Sequence, residues 1–283
     1  MTQLRPVVEH ILHPTDFSMG SEIAFVHALR IALATGASLD VVHVDPKPRA
    51  SDWKDFPSVR ETLIRWGVLK EGAKRSDVAR TGINVHKSKA HADAPVKGIM
   101  AHIERHPADL IVLATHQRKG FDRWMHHHIA SDVSRVAETA TLFVPYGTKG
   151  FVRSEDGSLN LNRILLPAAT SPHPDPAVAT VTWIAEKLKC PSAEFNLLHV
   201  GEESNCPATS LPVARDGWTL EWKTRSGPIA TEILAESIES KANLIAMTTL
   251  GRHGFLDAVR GSTTEQVLAG AECPVLAVNK RPR

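Results

Sequence analysis

The sequence predicts an α/β protein made of two tandem domains, each with a mainly parallel five-stranded sheet. One observation behind this prediction is that short apolar strands alternate with amphipathic helices, which is the pattern of a doubly wound parallel sheet. The other is an internal repeat. A constant offset of 134 residues relates three segments of the first half to three of the second: 109–115 to 243–249, 120–121 to 254–255, and 142–144 to 276–278.

The amino-terminal parts of the two copies also repeat, at a larger offset. His10–Pro14 returns as Arg163–Pro167, and Leu39–Val44 returns as Phe195–Val200. The second copy is therefore the same unit with a shorter middle. A repeat of this length is a whole domain rather than one turn of a solenoid. We expect the two copies to be related by a pseudo-two-fold axis.

The elements of the first copy can be placed from capping residues and apolar spacing. The first helix can be capped by Ser18 or Ser21, and Gly36 suits the left-handed position after its end. A later helix opens at Pro95, since proline is favoured in the first turn. In chain order the predicted elements are strand 11–15, a helix through 23–33, strand 39–44, a helix around 58–71, strand 83–87, a helix over 95–106, strand 110–114, helix 131–138 and strand 141–144.

The second copy repeats this plan after a short connector. The Asp156-Gly157 pair, set between apolar residues, favours a β-hairpin there. We therefore expect domain 1 at residues 1–146, an ordered connector at 147–161 and domain 2 at 162–283. The elements predicted for domain 2 are strand 164–168, helix 177–187, strands 194–200 and 220–223, helix 229–240, strand 244–248, helix 263–268 and strand 275–278.

The last strand of each copy, Leu142–Val144 and Val275–Val278, is apolar. An uncovered edge of this kind invites aggregation. Pairing the two last strands would bury both edges within one chain, so we expect an intramolecular pseudo-dimer. Further association of two chains as a homodimer is a second expectation.

Composition excludes several classes of protein. The 283 residues carry a net charge of +2, so no bulk electrostatic attraction favours nucleic acid or an anionic membrane as a partner. Cys190, Cys206 and Cys273 lack C-x-x-C spacing, which excludes a disulfide framework. Residues 1–9 have no signal-peptide core, and no apolar run reaches the length of a membrane span. We expect a soluble, cytoplasmic protein.

Two motifs carry a resemblance over essentially the whole chain. The first is Ile11–Ser18, a strand that ends in an Asp. The second is Gly251-(nine residues)-Gly261-Ser262, ahead of Cys273–Val278. With the two-copy arrangement, these motifs resemble the universal stress protein family, whose phosphate loop reads G-x2-G-x9-G-[S/T]. The resemblance implies Rossmann-like domains similar to adenine-nucleotide α-hydrolases, a regulatory role in the stress response, and binding of ATP or another adenine nucleotide with Mg²⁺.

The residues of this loop also suit a phosphate on physical grounds. The glycines let backbone N–H groups approach a phosphate closely, and the start of the next helix adds partial positive charge. Ser262 and Thr263 supply hydroxyl groups, and Arg252 supplies a cationic donor. A purely structural alternative exists, because Ser262 and Glu265 have the spacing of a capping box and Gly261 can simply make the turn.

The second copy departs from the family pattern at two positions. Thr248 stands where the loop has its first glycine, and Ala169 replaces the Asp that the first copy keeps as Asp16. We still expect the nucleotide site here, weakened by the lost carboxylate. We expect the base towards Ala169 and the second strand, at Asn196 to Leu198. The expected site residues are Gly251, Arg252, Gly261, Ser262, Thr263, Thr248, Ala169 and Leu197.

The first copy departs in the loop itself. It keeps Asp16 and Ser18, but Gln117 and His127 stand where the two later glycines belong, with His128 next to them. A side chain at either position occupies space that a phosphate needs. We expect a degenerate site in domain 1.

The histidines of that loop offer an alternative chemistry, because imidazoles can hold zinc. His13, near the end of the first strand, approaches the same edge of the sheet. Adjacent histidines of one loop cannot all turn inward, so a solvated surface loop is the competing interpretation. We expect His43 and His199, on equivalent strands, to be packed at the sheet rather than to bind a metal. The candidate zinc ligands are His116, His126, His127 and His128.

Enzyme motifs are mostly missing from the sequence. It contains no G-x-x-x-x-G-K-[ST], no G-x-S-x-G and no H-E-x-x-H, which leaves at most a slow ATP hydrolase. Two functions then compete. In one, nucleotide occupancy of domain 2 biases the binding of protein partners. In the other, both pockets are relics and the tandem surface is an interaction module without a nucleotide.

Overall fold

A computed structural model describes residues 7–45, 53–115, 139–209, 215–249 and 263–279. Within these ranges the strands are β1 (His10–Thr15), β2 (Ser38–Asp45), β3 (Asn84–His91), β4 (Leu110–Thr115), β5 (Ala140–Pro145), β6 (Arg163–Pro167), β7 (Ala193–Val200), β8 (Trp218–Arg225), β9 (Leu244–Thr249) and β10 (Val275–Asn279). The helices are α1 (Met19–Thr35), α2 (Val59–Arg65), α3 (Arg75–Ala79), α4 (Pro95–Arg105), α5 (Asp175–Lys187), α6 (Ile229–Glu239) and α7 (Thr263–Gly270), with short 3-10 turns at Trp53–Asp55 and Glu203–Asn205.

The ten strands form one continuous sheet in the order β3-β2-β1-β4-β5-β10-β9-β6-β7-β8. Neighbouring strands within each half are parallel. The two halves join where β5 pairs antiparallel with β10. The predicted fold class is therefore confirmed: each half is a five-stranded parallel unit, and the two apolar last strands cover each other.

Buried side chains on one face of the sheet form a core that both halves share. There α1 and α5 contact each other, α1 packs on β1 and β4, and α5 packs on β9 and β10. Residues from both helices, such as Leu29 and Val181, belong to one buried cluster. On the opposite face lie two smaller clusters. One is covered by α4 in the first half, and the other by α6 and α7 in the second half, where Phe143 of β5 also contributes. The shared cluster makes the halves one packed body on that face.

The connector contributes to the shared core. Phe151 and Val152 are fully buried in it. Val152 also makes an antiparallel bridge with Leu159, and the intervening turn includes Gly157 in a left-handed conformation. Residues 151–160 thus form a short hairpin. The exact division of the chain at 146/147 and 161/162 stays a prediction.

His27 of α1 fixes this hairpin to the first half. Its ring is fully buried, and its Nδ1 donates to the carbonyl oxygen of Ile23 at 2.7 Å. Its Nε2 accepts from the backbone N–H groups of Phe151 and Val152 at 2.9 and 3.2 Å. Because Nδ1 must carry the proton for the first bond, Nε2 can accept only while the ring is neutral. His27 is therefore held as a neutral imidazole between α1 and the connector.

Helix ends follow the sequence signals in α1 and depart from them in α2. Ser18 Oγ accepts from the Ser21 N–H at 3.2 Å, and Gly36 has φ 75° after the last turn. The helix predicted around 58–71 was too long, because α2 ends at Arg65 and Gly67 turns the chain with φ 68°. The short α3 was not predicted. The helix predicted at 131–138 lies outside the described residues.

Candidate functional site

The carboxyl ends of β6, β7 and β9 meet at one edge of the second half. Open α/β sheets bind ligands at this edge. Ala169 is the second residue after β6 and is exposed. Thr263, half-buried, is the first residue of α7, which follows β9 along the chain. The topology therefore brings Ala169 and the start of α7 to the same edge.

Thr248 also lies at this edge, but its hydroxyl group is already engaged. The side chain is buried, accepts from the Ala177 N–H at 3.3 Å and donates to the Pro174 carbonyl oxygen at 3.4 Å. These bonds tie the end of β9 to the start of α5. Thr248, where the family loop has glycine, thus acts as a structural tie, and its hydroxyl is not available to a phosphate while these bonds last.

Leu197 is completely buried in the shared core. Its side chain therefore does not line an open pocket, and the placement of a base towards this strand stays a prediction. The carboxyl end of β7 is formed by His199 and Val200. The sequence pattern did not separate these residues from Leu197, because all belong to one apolar strand.

His199, near the carboxyl end of β7, holds the backbone at this edge through a hydrogen bond. Its Nδ1 donates to the Ala168 carbonyl oxygen at 2.9 Å, which fixes the backbone immediately before Ala169. Its Nε2 is buried and has no hydrogen-bond partner within the described part of the chain. In the first half, His43 Nδ1 makes the same bond to the Thr15 carbonyl oxygen at 2.8 Å. The expectation that both histidines pack at the sheet is confirmed.

The loop after Ala169 brings a carboxylate to this region that sequence analysis missed. Asp175, the first residue of α5, accepts a hydrogen bond from the Thr209 hydroxyl group, and its other oxygen lies 3.2 Å from His173 Nδ1. The Thr209 bond is the one hydrogen bond to this carboxylate among the described residues, and the Asp175 side chain is half exposed. This bond holds the segment after β7 against the loop after β6.

The equivalent edge of the first half is covered by aromatic rings. Asp16 is exposed and accepts from the Ser18 N–H at 3.0 Å, so its carboxylate caps its own turn. Phe17, in a left-handed conformation with φ 62°, stacks on His43 with ring centroids 4.1 Å apart. The Trp53 ring lies edge-on to the Phe17 ring, with the two ring centroids 5.1 Å apart. The degenerate site in domain 1 stays a prediction, because it depends on loop residues outside the described ranges.

His13 is not available to a metal at that edge. Its ring is fully buried beside Phe25 and Phe56, and its Nδ1 donates to the Val112 carbonyl oxygen at 2.8 Å. Burial lowers the pKa of His13 to about 4, so the ring is a neutral part of the core. Among the described residues, no group of three or more His, Cys, Asp or Glu side chains is arranged to hold a metal ion.

Several predicted site residues lie outside the described residues. From the phosphate loop of domain 2 these are Gly251, Arg252, Gly261 and Ser262, and from the corresponding loop of domain 1 they are His116, Gln117, His126, His127 and His128.

Comparison with known proteins identifies the family. The family model described as the Universal stress protein family matches residues 8–145 and 212–279, well over half of the chain. The chain belongs to the universal stress protein family. A curated universal stress protein of Methanocaldococcus jannaschii is 38% identical over 64 residues. That match covers 23% of this chain and 38% of the relative, so it spans well under two thirds of the relative's length.

Solved structures of similar proteins share the whole two-domain fold. A universal stress protein from Archaeoglobus fulgidus superposes with a TM-score of 0.61 at 19% identity, covering 97% of this chain and 99% of that one. A functionally unknown protein from Pseudomonas aeruginosa superposes with a TM-score of 0.60 at 14% identity, covering 97% and 94%. At these identities the likeness shows the tandem fold. No helix among the described residues of this universal stress protein is long and apolar enough to cross a membrane.

Proposed function

We propose that this universal stress protein binds an adenine nucleotide, ATP or a relative of it with Mg²⁺, in domain 2, and that occupancy regulates its contacts with protein partners. The observation that carries the proposal is the retained end of the phosphate loop. Gly261, Ser262 and Thr263 lead directly into α7, and residues 250–262 join the carboxyl end of β9 to that helix start. Backbone N–H groups at such a start attract phosphate.

The same edge explains why the site would be weak. Ala169 offers no carboxylate, and the Thr248 hydroxyl group is engaged within the protein. A lost hydrogen bond to a charged acceptor typically costs about 1.5–3 kcal/mol. We therefore expect an affinity well below that of a relative with the complete set of residues.

Calorimetry with ATP and Mg²⁺ tests the proposal on four full-length proteins. The parent should bind, Ala169→Asp should bind at least tenfold more tightly, and Gly261→Val should not bind because a branched side chain blocks the backbone approach. Asp16→Ala, in the degenerate first half, is the matched control and should bind like the parent. At a hundredfold excess over Kd, ATP should add about 2.7 kcal/mol to the free energy of unfolding of the parent.

One set of observations favours the competing function. The hydroxyl and carboxylate groups described at the domain 2 edge serve the protein's own packing, as they would in a relic pocket. If neither the parent nor Ala169→Asp releases heat with ATP, domain 2 does not bind the nucleotide and the protein acts as an interaction module. Zinc at the histidine-rich loop stays a prediction of the sequence, and calorimetry with Zn²⁺ on the same parent would test it.

A further inference from the structure

A second candidate binding site lies in the part of domain 1 that domain 2 does not repeat. A cavity of about 1060 Å³ lies between α2, α3 and the outer strand β3. The described part of domain 2 has no helix between β7 and β8, where α2 and α3 would correspond. The cavity is therefore a property of the insert between β2 and β3 rather than of the shared fold.

The cavity adjoins the nucleotide-type edge of domain 1 at Trp53 and Phe56 but extends away from it. The residues of β3 that line it, 84–87, belong to the amino-terminal half of the strand, and Lys87 pairs with Val41 in the middle of β2. The carboxyl end of the same pair of strands lies further along, at Asp45 and His91. Neither Asp16 nor Ser18 lines the cavity. A molecule bound here would lie along the outer strand, not across the carboxyl ends of β1 and β4.

Basic side chains predominate among the charged residues of the lining. Five are cationic and two are acidic. Arg60 lies 3.6 Å from Glu61. Burial raises the pKa of Glu22, and the positive charge of Arg65 offsets part of that rise. Since the two acids already face arginines, a net positive charge is left for a ligand. The charged lining residues are Lys54, Arg60, Arg65, Arg75, Lys87, Glu22 and Glu61.

Lys87 is the cation placed most favourably to meet a ligand. Its Nζ lies 5.2 Å from the ring centre of Trp53 and 5.1 Å from that of Phe56, and it donates to the Pro57 carbonyl oxygen at 3.2 Å. One acceptor leaves two N–H donors for other partners. Within the described ranges, no carboxylate comes within ion-pair distance of it. Partial burial of the ammonium also lowers the pKa of Lys87, and a bound anion would compensate for this loss of hydration.

We propose that this cavity binds a small organic polyanion, a phosphorylated or multiply carboxylated molecule, with Lys87 and Arg75 as its main charged contacts. Arginine pairs with phosphate and carboxylate oxygens through two parallel hydrogen bonds, and lysine acts as a point charge on the same group. The rings of Trp53 and Phe56 supply apolar surface next to Lys87. The volume accommodates a molecule of drug or metabolite size.

Labelling with pyridoxal 5′-phosphate tests the site on the full-length protein. The amine of a lysine condenses with its aldehyde to an imine and releases water, and borohydride then reduces the imine to a stable amine that peptide mass spectrometry locates. We expect Lys87 to be labelled at least fivefold faster than Lys70, an exposed lysine of the same insert. Millimolar tripolyphosphate or citrate should slow the labelling of Lys87 at least fivefold and leave Lys70 unchanged.

Variants separate anion binding from the reactivity of a single amine. Arg75→Gln keeps Lys87 in place, so it should abolish protection by tripolyphosphate if the two residues hold one anion. In calorimetry with tripolyphosphate at physiological salt, Lys87→Met should lower the affinity at least tenfold, whereas Lys70→Met should not. Gly261→Val should leave this binding unchanged, which distinguishes the cavity from the nucleotide site of domain 2.

Three results would overturn the proposal. Lys87 and Lys70 could be labelled at the same rate, the polyanions could fail to protect Lys87, or Lys87→Met could bind tripolyphosphate like the parent. Any of these would mean that the basic residues of the insert form a solvated surface and not a site.

Discussion

Leu142 and Leu276 are equivalent residues of the internal repeat, and they lie directly opposite each other where β5 pairs with β10. On either side of this pair, Val275 lies opposite Phe143 and Ala277 lies opposite Thr141. Thr141 and Val275 are equivalent in the repeat, and so are Phe143 and Ala277, so the repeat maps each of these two pairs onto the other. A residue can face its own equivalent only if a pseudo-two-fold axis passes between them. The axis therefore runs through the junction of the two halves.

This junction gives the first prediction. Leu142→Ala and Leu276→Ala should each lower the free energy of unfolding by about 2–5 kcal/mol, because each removes a fully buried side chain from one shared cluster. Urea denaturation should show a single shifted transition in both variants. Val7→Ala, at an exposed position, is the control and should have little effect. A two-step curve in which only one half loses stability would contradict a shared core.

The docking of the connector gives the second prediction. Gly147 and Gly150 both have positive φ, 83° and 63°. A β-carbon at Gly147 would meet nothing within 4 Å, whereas one at Gly150 would come within 2.2 Å of the His27 ring. Gly147→Ala should therefore cost only the backbone strain, about 1 kcal/mol.

Gly150→Ala should cost at least about 2 kcal/mol more than Gly147→Ala, because His27 must move and the N–H groups of Phe151 and Val152 lose their acceptor. Thermal and urea unfolding of the two variants side by side would measure the difference. Equal losses of stability would show that the His27 contact contributes nothing to the docking of the connector.

Two buried histidines predict how stability depends on pH. Burial lowers the pKa of both His13 and His27 to about 4, from an ordinary value of 6.5. The unfolded chain takes up protons below about pH 6.5 while the folded protein does not. The two histidines should thus make their full contribution to the free energy of unfolding above about pH 6.5, and this contribution should fall as the pH drops towards 4. Each ring accounts for about 3 kcal/mol at most.

Urea denaturation at pH 7.5, 6 and 5 measures this slope. In His27→Gln the free energy of unfolding should fall less steeply with pH, because one fewer proton is taken up on unfolding. The variant should also be less stable than the parent at pH 7.5. His86→Gln, at an exposed position, should leave the slope unchanged. A slope that His27→Gln does not alter would mean that this imidazole is protonated alike in both states.

The fourth prediction concerns the buried carboxylate of α6. Glu236 is 1% exposed and accepts from Lys223 and Arg225 of the outer strand β8, each at 2.7 Å. Removing one partner of a fully buried ion pair costs about 3–5 kcal/mol. Because Lys223 and Arg225 are partly exposed, we expect Glu236→Ala to cost about 2–4 kcal/mol.

Glu221→Gln is the matched control, since Glu221 is an exposed carboxylate on the same strand. It should change the free energy of unfolding by less than about 0.5 kcal/mol. If both variants lose the same small amount of stability in urea, the network does not fasten α6 to the sheet.

The sequence by itself determined the family, the tandem α/β fold and the pairing of the last strands. These properties depend on local periodicity and on the repeat, both of which can be read along the chain. The ends of α1 also followed from Ser18 and Gly36, because capping depends on residues close in sequence. The end of α2 did not, since Gly67 stops the helix inside a stretch whose apolar pattern continues.

Only the tertiary structure decided what the polar groups at the sheet edges do. The bond partners of Thr248 lie more than 70 residues away in the sequence, and the two connector N–H groups that His27 accepts from lie more than 120 residues away. The sequence around each of these residues does not indicate a bond partner so far along the chain. Leu197 and His199 lie on one strand and are both buried, yet Leu197 packs in the shared core while His199 binds the Ala168 carbonyl oxygen at the edge of the sheet. Packing between distant segments decides which polar groups the protein uses for itself and which it leaves for a ligand.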